Sequence, residues 1–315
     1  MVLRRAGISV ATSNFDAVSQ PSLTPENDHN PFRTPHRTAD QRMADFDLSI
    51  DEKRVYADKT GKKTVYVAAS VGVVGVDVSD NLVGGFRIDH RCDPRDVAGS
   101  PGEVAVATAD DVLLVQGDDY HELGFGPTTT VGFHRNRVVA ADETGRIARF
   151  DESGWTDIGE VGEVRALDGS LVAAEDGVYR ISDEGLTHVG LDDAHDVSDP
   201  AGRLGAAEGT PLAATEFGLY TLGNGWMDAI DGRMTAVASM PDGRAHAVGP
   251  DGIVSREGEV WVSDPIPMDE TVVALAHDAR AVYAVTDVGT FCVRTTASDW
   301  RTQVLGLDAV GVAVR

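Results

Sequence analysis

Tyr66-Val67-Ala68-Ala69, then Ser70-Val71, then Gly72-Val73-Val74 is the stretch that decides the fold, because the chain keeps returning to it. An apolar strand of small residues, a short turn and a second strand opened by glycine come back as Val139-Ala140-Ala141…Gly145-Arg146-Ile147 and Val172-Ala173-Ala174…Gly177-Val178-Tyr179. Further copies are Leu212-Ala213-Ala214…Gly218-Leu219-Tyr220, Ala245-His246-Ala247-Val248…Gly252-Ile253-Val254 and Tyr283-Ala284-Val285…Gly289-Thr290-Phe291. A seventh, Val104-Ala105-Val106-Ala107…Asp111-Val112-Leu113, has Asp at the glycine position. Successive anchors are 39, 34, 32, 41, 34 and 37 residues apart. A fixed period in this range marks a repeat architecture, and about 36 residues is a compact four-stranded blade. Glycine at the anchor is expected to supply the positive φ of a hairpin turn.

The spacing therefore predicts an all-β, seven-bladed β-propeller of four-stranded blades. Nine or ten residues past most anchors an aromatic opens another strand. Trp155, Trp226, Trp261 and Trp300 stand there, with Tyr120 in the second copy, and each is expected to pack between neighbouring blades. The final run, Asp308-Ala309-Val310-Gly311-Val312-Ala313-Val314, reads as an innermost strand that the first copy lacks. It should close the ring, since that pairs the two loose edges. Residues 46–315 are taken as the propeller. Residues 1–45, with Pro21, Pro25, Pro31 and Pro35 and no apolar period, read as a disordered extension, with Met43 a candidate natural start.

Asp151-Glu152-Ser153-Gly154-Trp155-Thr156 and Ser182-Asp183-Glu184-Gly185-Leu186-Thr187 resemble degenerate Asp-box hairpins of sialidase-like and sortilin-like propellers. As a whole the chain resembles a group of haloarchaeal seven-bladed propellers with WD40-like repeats. The features that carry this are its acidic, lysine-poor blades and the opening Leu48-Ser49-Ile50-Asp51-Glu52-Lys53-Arg54-Val55-Tyr56-Ala57-Asp58-Lys59. The resemblance implies a fold and a lineage and brings no activity with it.

The 51 Asp and Glu against 27 Lys and Arg give a formal net charge of −24, and Lys53, Lys59, Lys62 and Lys63 are the only lysines. Such a surface stays hydrated when concentrated salt screens its self-repulsion, so a salt-rich cytoplasm is the expected setting. It disfavours nucleic acid, whose phosphates need clustered cations. No apolar run approaches the roughly 20 residues of a membrane-spanning helix, so a membrane is not an expected partner. Cys92 and Cys292 are too few for a disulfide framework.

Candidate chemistry is sparse. Asp58-Lys59-Thr60-Gly61-Lys62-Lys63-Thr64 looks like a phosphate loop, but Tyr56 stands where the earlier glycine belongs. Its cations, Lys53, Lys59, Lys62 and Lys63, are instead candidate contacts to an anionic partner. His90-Arg91-Cys92-Asp93-Pro94-Arg95-Asp96 gathers imidazole, thiol and carboxylates, but no second cluster lies at metal-ligand spacing. His90, Arg91 and Arg95 are carried forward as binding candidates. So is His195, in the inter-blade run Leu191-Asp192-Asp193-Ala194-His195-Asp196. Asp110, Asp142, Glu143, Glu175, Asp176, Glu216, Asp251 and Asp287 precede the second strand of each pair, and in a propeller these turns share one acidic face with the inter-blade loops. No catalytic triad or carboxylate pair can be placed. The expectation is a monomeric, non-enzymatic scaffold that binds another protein and needs no cofactor. The alternatives are a lactonase-like hydrolase holding calcium or another divalent metal in the central channel, and a sensor of small ligands or sugars.

Overall fold

The computed structural model describes residues 62–205, 209–296 and 298–315. The expected N-terminal extension, the Met43 start, Lys53 and Lys59 lie outside the described residues. Seven antiparallel sheets of four strands each follow one another along the chain. Blade 1 is built, from the axis outward, of Ala309–Val314, Lys62–Ala69, Gly72–Ser79 and Leu82–His90. The C-terminal strand thus completes the first blade, pairing Val65 with Val314 and Val67 with Val312. The inner strands of blades 2 to 7 are Pro94–Ser100, Thr130–His134, Val164–Asp168, Ala194–Ser198, Ala236–Ser239 and Val272–His277.

Alternation of side chains between two buried seams explains why the second strand of each blade is largely apolar. Val65 and Val67 face blade 7, where Tyr283, Val285 and Phe291 meet them. Tyr66 and Ala68 face blade 2 and pack on Val104 and Val106. Both faces are buried, so a polar-outside alternation would leave unsatisfied groups in one seam or the other. Alanines such as Ala140, Ala173 and Ala213 are fully buried where the blades converge, a place with room for little more than a methyl group.

The aromatics dock as expected on the preceding blade. Trp226 Nε1 donates to Val189 O at 2.9 Å, Trp155 Nε1 to Leu123 O at 2.9 Å, and Tyr120 Oη to Asp89 at 3.2 Å. Asp151 accepts from Ser153 N and Oγ, the hairpin bond that an Asp-box-like turn requires.

Five of the six anchor glycines, Gly72, Gly145, Gly177, Gly252 and Gly289, have the positive φ read in the sequence. Gly218 does not have positive φ. All but Gly252 also meet a close crossing by the chain leaving the outer strand. A Cβ would lie 2.1 Å from His90 O at Gly72, 1.8 Å from Leu307 O at Gly289 and 2.6 Å from Ile230 O at Gly218. Asp111, the exception, uses its carboxylate to hold that crossing, accepting from the backbone N–H of Gly124, Phe125 and Gly126.

A second departure is a short helix, α1 (Pro200–Leu204), inside the all-β repeat. It sits between the first two strands of blade 5, N-capped by Asp199 and closed by Gly205 in the left-handed region. No helix among the described residues is long and apolar enough to cross a membrane.

Candidate functional site

The seven inner strands surround a cavity of about 240 Å3 on the ring axis. Its two ends differ. The strands enter at one end, called the mouth here. Backbone N–H groups of the turns between second and third strands donate there to the carbonyl just before an inner strand: Ala109 to Asp93, Glu175 to Glu163, Glu216 to Asp193 and Ser70 to Asp308. These bonds set the acidic turns and the inter-blade loops on one face, as their sequence positions imply.

At the mouth the inner strands bulge. The pairing register skips Arg95, Arg165, His195, Val273 and Val310. A bulge re-aims the extra side chain, and all but Arg95 line the cavity. Arg165 Nη1 lies 2.5 Å from Asp193 Oδ1 and 3.4 Å from His195 Nδ1. His195 Nε2 lies 3.1 Å from Glu216 Oε2, which also pairs with Arg233 at 3.1 Å. This network ties blades 4, 5 and 6 together at the rim. The hydrogen bond from Arg165 holds the Asp193 carboxyl below the usual range.

Below the rim the wall carries two carboxyls directed into seams. Asp96 accepts from Val97 N, Thr130 Oγ1 and Val131 N. Asp196 accepts from Val197 N and Val237 N. Each therefore satisfies an inner-edge amide of the next blade. Burial pushes the Asp196 carboxyl up to about 8, against the lowering effect of its two amide bonds, and raises Asp96 in the same way.

The far end is a polar girdle, for six of the seven inner strands end on Ser100, His134, Asp168, Ser198, Ser239 or His277. Most reach a neighbouring blade: Ser100 Oγ to Asn136 at 2.6 Å, His134 Nδ1 to Gly169 O at 3.0 Å, and Ser198 Oγ to Ser239 Oγ at 2.9 Å. Helix α1 lies against this end. Arg135 N and Asn136 N of blade 3 donate to Gly202 O and Arg203 O. Arg203 reaches both blade 4, with Nε 3.0 Å from Asp168 Oδ1, and blade 6, with Nη2 3.4 Å from Ser239 O. From His277 a buried chain leads outward: Nε2 to His246 Nδ1 at 2.9 Å, then His246 Nε2 to Asp264 Oδ2 at 3.4 Å. Asp264 Oδ1 accepts from Arg294 at 2.6 Å and from Trp300 Nε1 at 3.0 Å. Burial holds both imidazoles in the neutral form, His277 well below its ordinary value.

Residues 49–315 match the HVO_0234-like β-propeller family. The chain belongs to that family. No curated protein matches it in sequence. Two solved propellers resemble the fold. The WD40 β-propeller domain of Doa1 superposes with a TM-score of 0.57 at 14% identity, covering 78% of this chain and 88% of its own. YCF48 bound to D1 peptide gives 0.52 at 12% identity, covering 79% and 86%. At such identities the likeness is one of architecture.

Within this family fold the sequence-derived binding residues separate. Arg91, Arg95 and His195 are at the mouth, and His90 stacks on Tyr120 with ring centroids 4.4 Å apart. Lys62 and Lys63 begin the second strand of blade 1, at the opposite end, where Asp77 and Asp278 pair with them. Sequence reasoning missed Asp168, Arg203, His246, Asp264 and His277. Its one available trace of Arg203 was the long 41-residue gap between Gly177 and Gly218. Among the described residues no group of three or more His, Cys, Asp or Glu side chains is placed to hold a metal ion. Cys92 and Cys292 are unpaired thiols.

Proposed function

We propose that this propeller is a monomeric, non-enzymatic scaffold of the cytoplasm that receives another protein on the face where the channel opens. The observation carrying this reading is the exposure of large apolar side chains among carboxylates on that face. Phe217 is 62% exposed, Val288 50% and Val310 51%, beside Glu216, Asp287 and Asp308. An exposed aromatic surrounded by charge suits a contact that is apolar at its centre and polar at its rim. The carboxylates favour a partner with basic side chains and repel nucleic acid. His90, Arg91, Arg95 and His195 rim the same face and would share in the contact. Lys62 and Lys63, tied to Asp77 and Asp278, have less freedom to act. The likeness to a propeller bound to a peptide supports the reading as analogy of fold.

The test is capture from a halophilic host in molar KCl, with mass spectrometry of what co-elutes in stoichiometric amount. The partner should be lost when Phe217→Glu and Val288→Glu are combined. It should be retained with Leu82→Glu, whose residue is exposed at the opposite end of blade 1. A solitary protein, or a partner indifferent to the mouth substitutions, would contradict the proposal.

A further inference from the structure

Phe217 stands in the turn between the second and third strands of blade 5, 62% exposed. Carboxylates flank it. Glu216 precedes it in the chain, and the exposed Asp231 pairs in register with Gly218, the residue that follows it. Gly232 N donates to Phe217 O at 2.9 Å, which holds the loop carrying Asp231 and Arg233 beside the turn. Glu216 gives one oxygen, Oε2, to His195 and Arg233. Its Oε1 and the Asp231 carboxylate have no partner among the described residues.

Elsewhere the same molecule shows what a ring and a carboxylate can hold between them. Arg146 lies over the Phe125 ring, its Cζ 4.8 Å from the centroid, while its Nε donates to Asp157 Oδ1 at 2.7 Å. Arg294 lies over Trp300 at 5.5 Å, and its Nη1 donates to Asp264 Oδ1 at 2.6 Å. Each guanidinium thus serves an aromatic and a carboxylate at once. Phe217 has the ring and the carboxylates without the cation. Among the described residues no Lys or Arg lies over it, and Arg233 is held by Glu216 Oε2. Concentrated salt, which suits a chain of net charge −24, decides which cation fits. Charge attraction alone is screened there within about 3 Å. An ammonium also keeps its water, whereas a planar, weakly hydrated guanidinium stacks on a ring and still donates from its edge.

We propose that Phe217 seats one arginine of the docked partner, its guanidinium stacked on the ring and donating to Glu216 Oε1 and to the Asp231 carboxylate. The inference rests on the docking-face reading and deepens it by naming the side chain that the face recognises.

The experiment titrates the full chain in molar KCl with the probe N-acetyl-glycyl-arginyl-glycinamide and follows the ring resonances of Phe217. They should move along a saturable isotherm with a Kd on the order of 10 mM. The same peptide with citrulline, the neutral isostere of arginine, should bind at least roughly fivefold more weakly. Phe217→Leu, apolar but without a π face, should weaken the arginine peptide by a similar factor, and Phe217→Trp should keep or strengthen it. Ring resonances that the arginine peptide leaves unmoved, or equal binding of the citrulline peptide to the wild type, would overturn the proposal without recourse to any variant. A partner captured by the wild type and by Phe217→Leu alike, yet lost with the paired glutamate substitutions, would leave the docking face standing and overturn the arginine. No captured partner at all would count against the docking face, with the peptide result unaffected.

Discussion

The two ends of the channel are made from the same strands and held by opposite means. At the mouth, Arg165, Asp193, His195, Glu216 and Arg233 form ion pairs open to solvent, with Arg233 57% and Glu216 42% exposed. At the girdle, Ser100, His134, Ser198, Ser239 and His277 bridge or line neighbouring blades from buried positions. The Asp168–Arg203 pair there is largely buried, with side chains 18% and 22% exposed. Exposed pairs contribute little and are screened by salt. Buried polar contacts are costly to break because the stranded partner stays desolvated. The propeller is thus fastened at its girdle end and left free to change at its mouth. That is the arrangement a docking face needs.

The largest expected effect removes the fastening of the whole ring. Deleting residues 309–315 strips the inner strand from blade 1 and leaves Val65 to Ala69 with an open edge. Thermal unfolding should lose its single transition, and the midpoint should fall by at least roughly 10 °C. An unchanged melt would show that closure does not depend on this pairing.

Next is the girdle itself. Asp168→Ala removes a carboxylate that faces Arg203 and accepts from Asp199 N. It should cost about 2–3 kcal/mol in a denaturant titration and should speed hydrogen exchange in α1. A loss no larger than that of a mouth substitution would erase the contrast between the two ends.

The third prediction concerns pH. Asp196 has a folded value of about 8 against an ordinary 3.8, so the folded state binds its proton more tightly than the unfolded chain. Its contribution is fully present below about pH 4 and is lost as pH rises through 8. Carboxylates held below the usual range, as Asp193 is at the mouth, act with the opposite sign and lose their contribution on acidification. Asp196→Asn should therefore flatten the decline in stability between about pH 4 and 8. A wild-type slope that the substitution leaves intact would place the titrating group elsewhere.

The smallest effect belongs to the rim. Glu216→Gln takes the shared acceptor from His195 and Arg233. In molar salt it should move the melting midpoint by less than about 2 °C, and by more in dilute salt.

Ring, blade number and closing strand were legible in the sequence because each depends on a local pattern repeated seven times. Tyr66-Val67-Ala68-Ala69 and its copies are apolar on both faces wherever a strand is buried in two seams. The acidic mouth could also be read, since its turns recur at the anchors. The girdle could not. Asp168, Arg203, His246 and His277 come from blades 4 to 7 and meet only when the ring closes, with no spacing in the chain to announce it. The bulges were hidden for a related reason. His195 reads as one more residue of an inter-blade loop until the register skips it and turns it toward the channel. The anchor glycines were read for a hairpin turn, and five of the six have its positive φ. The chain crossing that most of them also admit, a contact between segments about 20 residues apart such as Gly72 and His90, has no signal in the sequence.

The central claim is that the mouth face is the one that docks. Hydrogen–deuterium exchange of the propeller with and without its captured partner tests this most directly, with both ends seen in one measurement. The account predicts slowed exchange at residues 216–218, 287–289 and 308–311, with no change at the Arg135-Asn136 turn or in α1. Protection confined to the girdle end, or to the outer strand Leu82–His90, would contradict it.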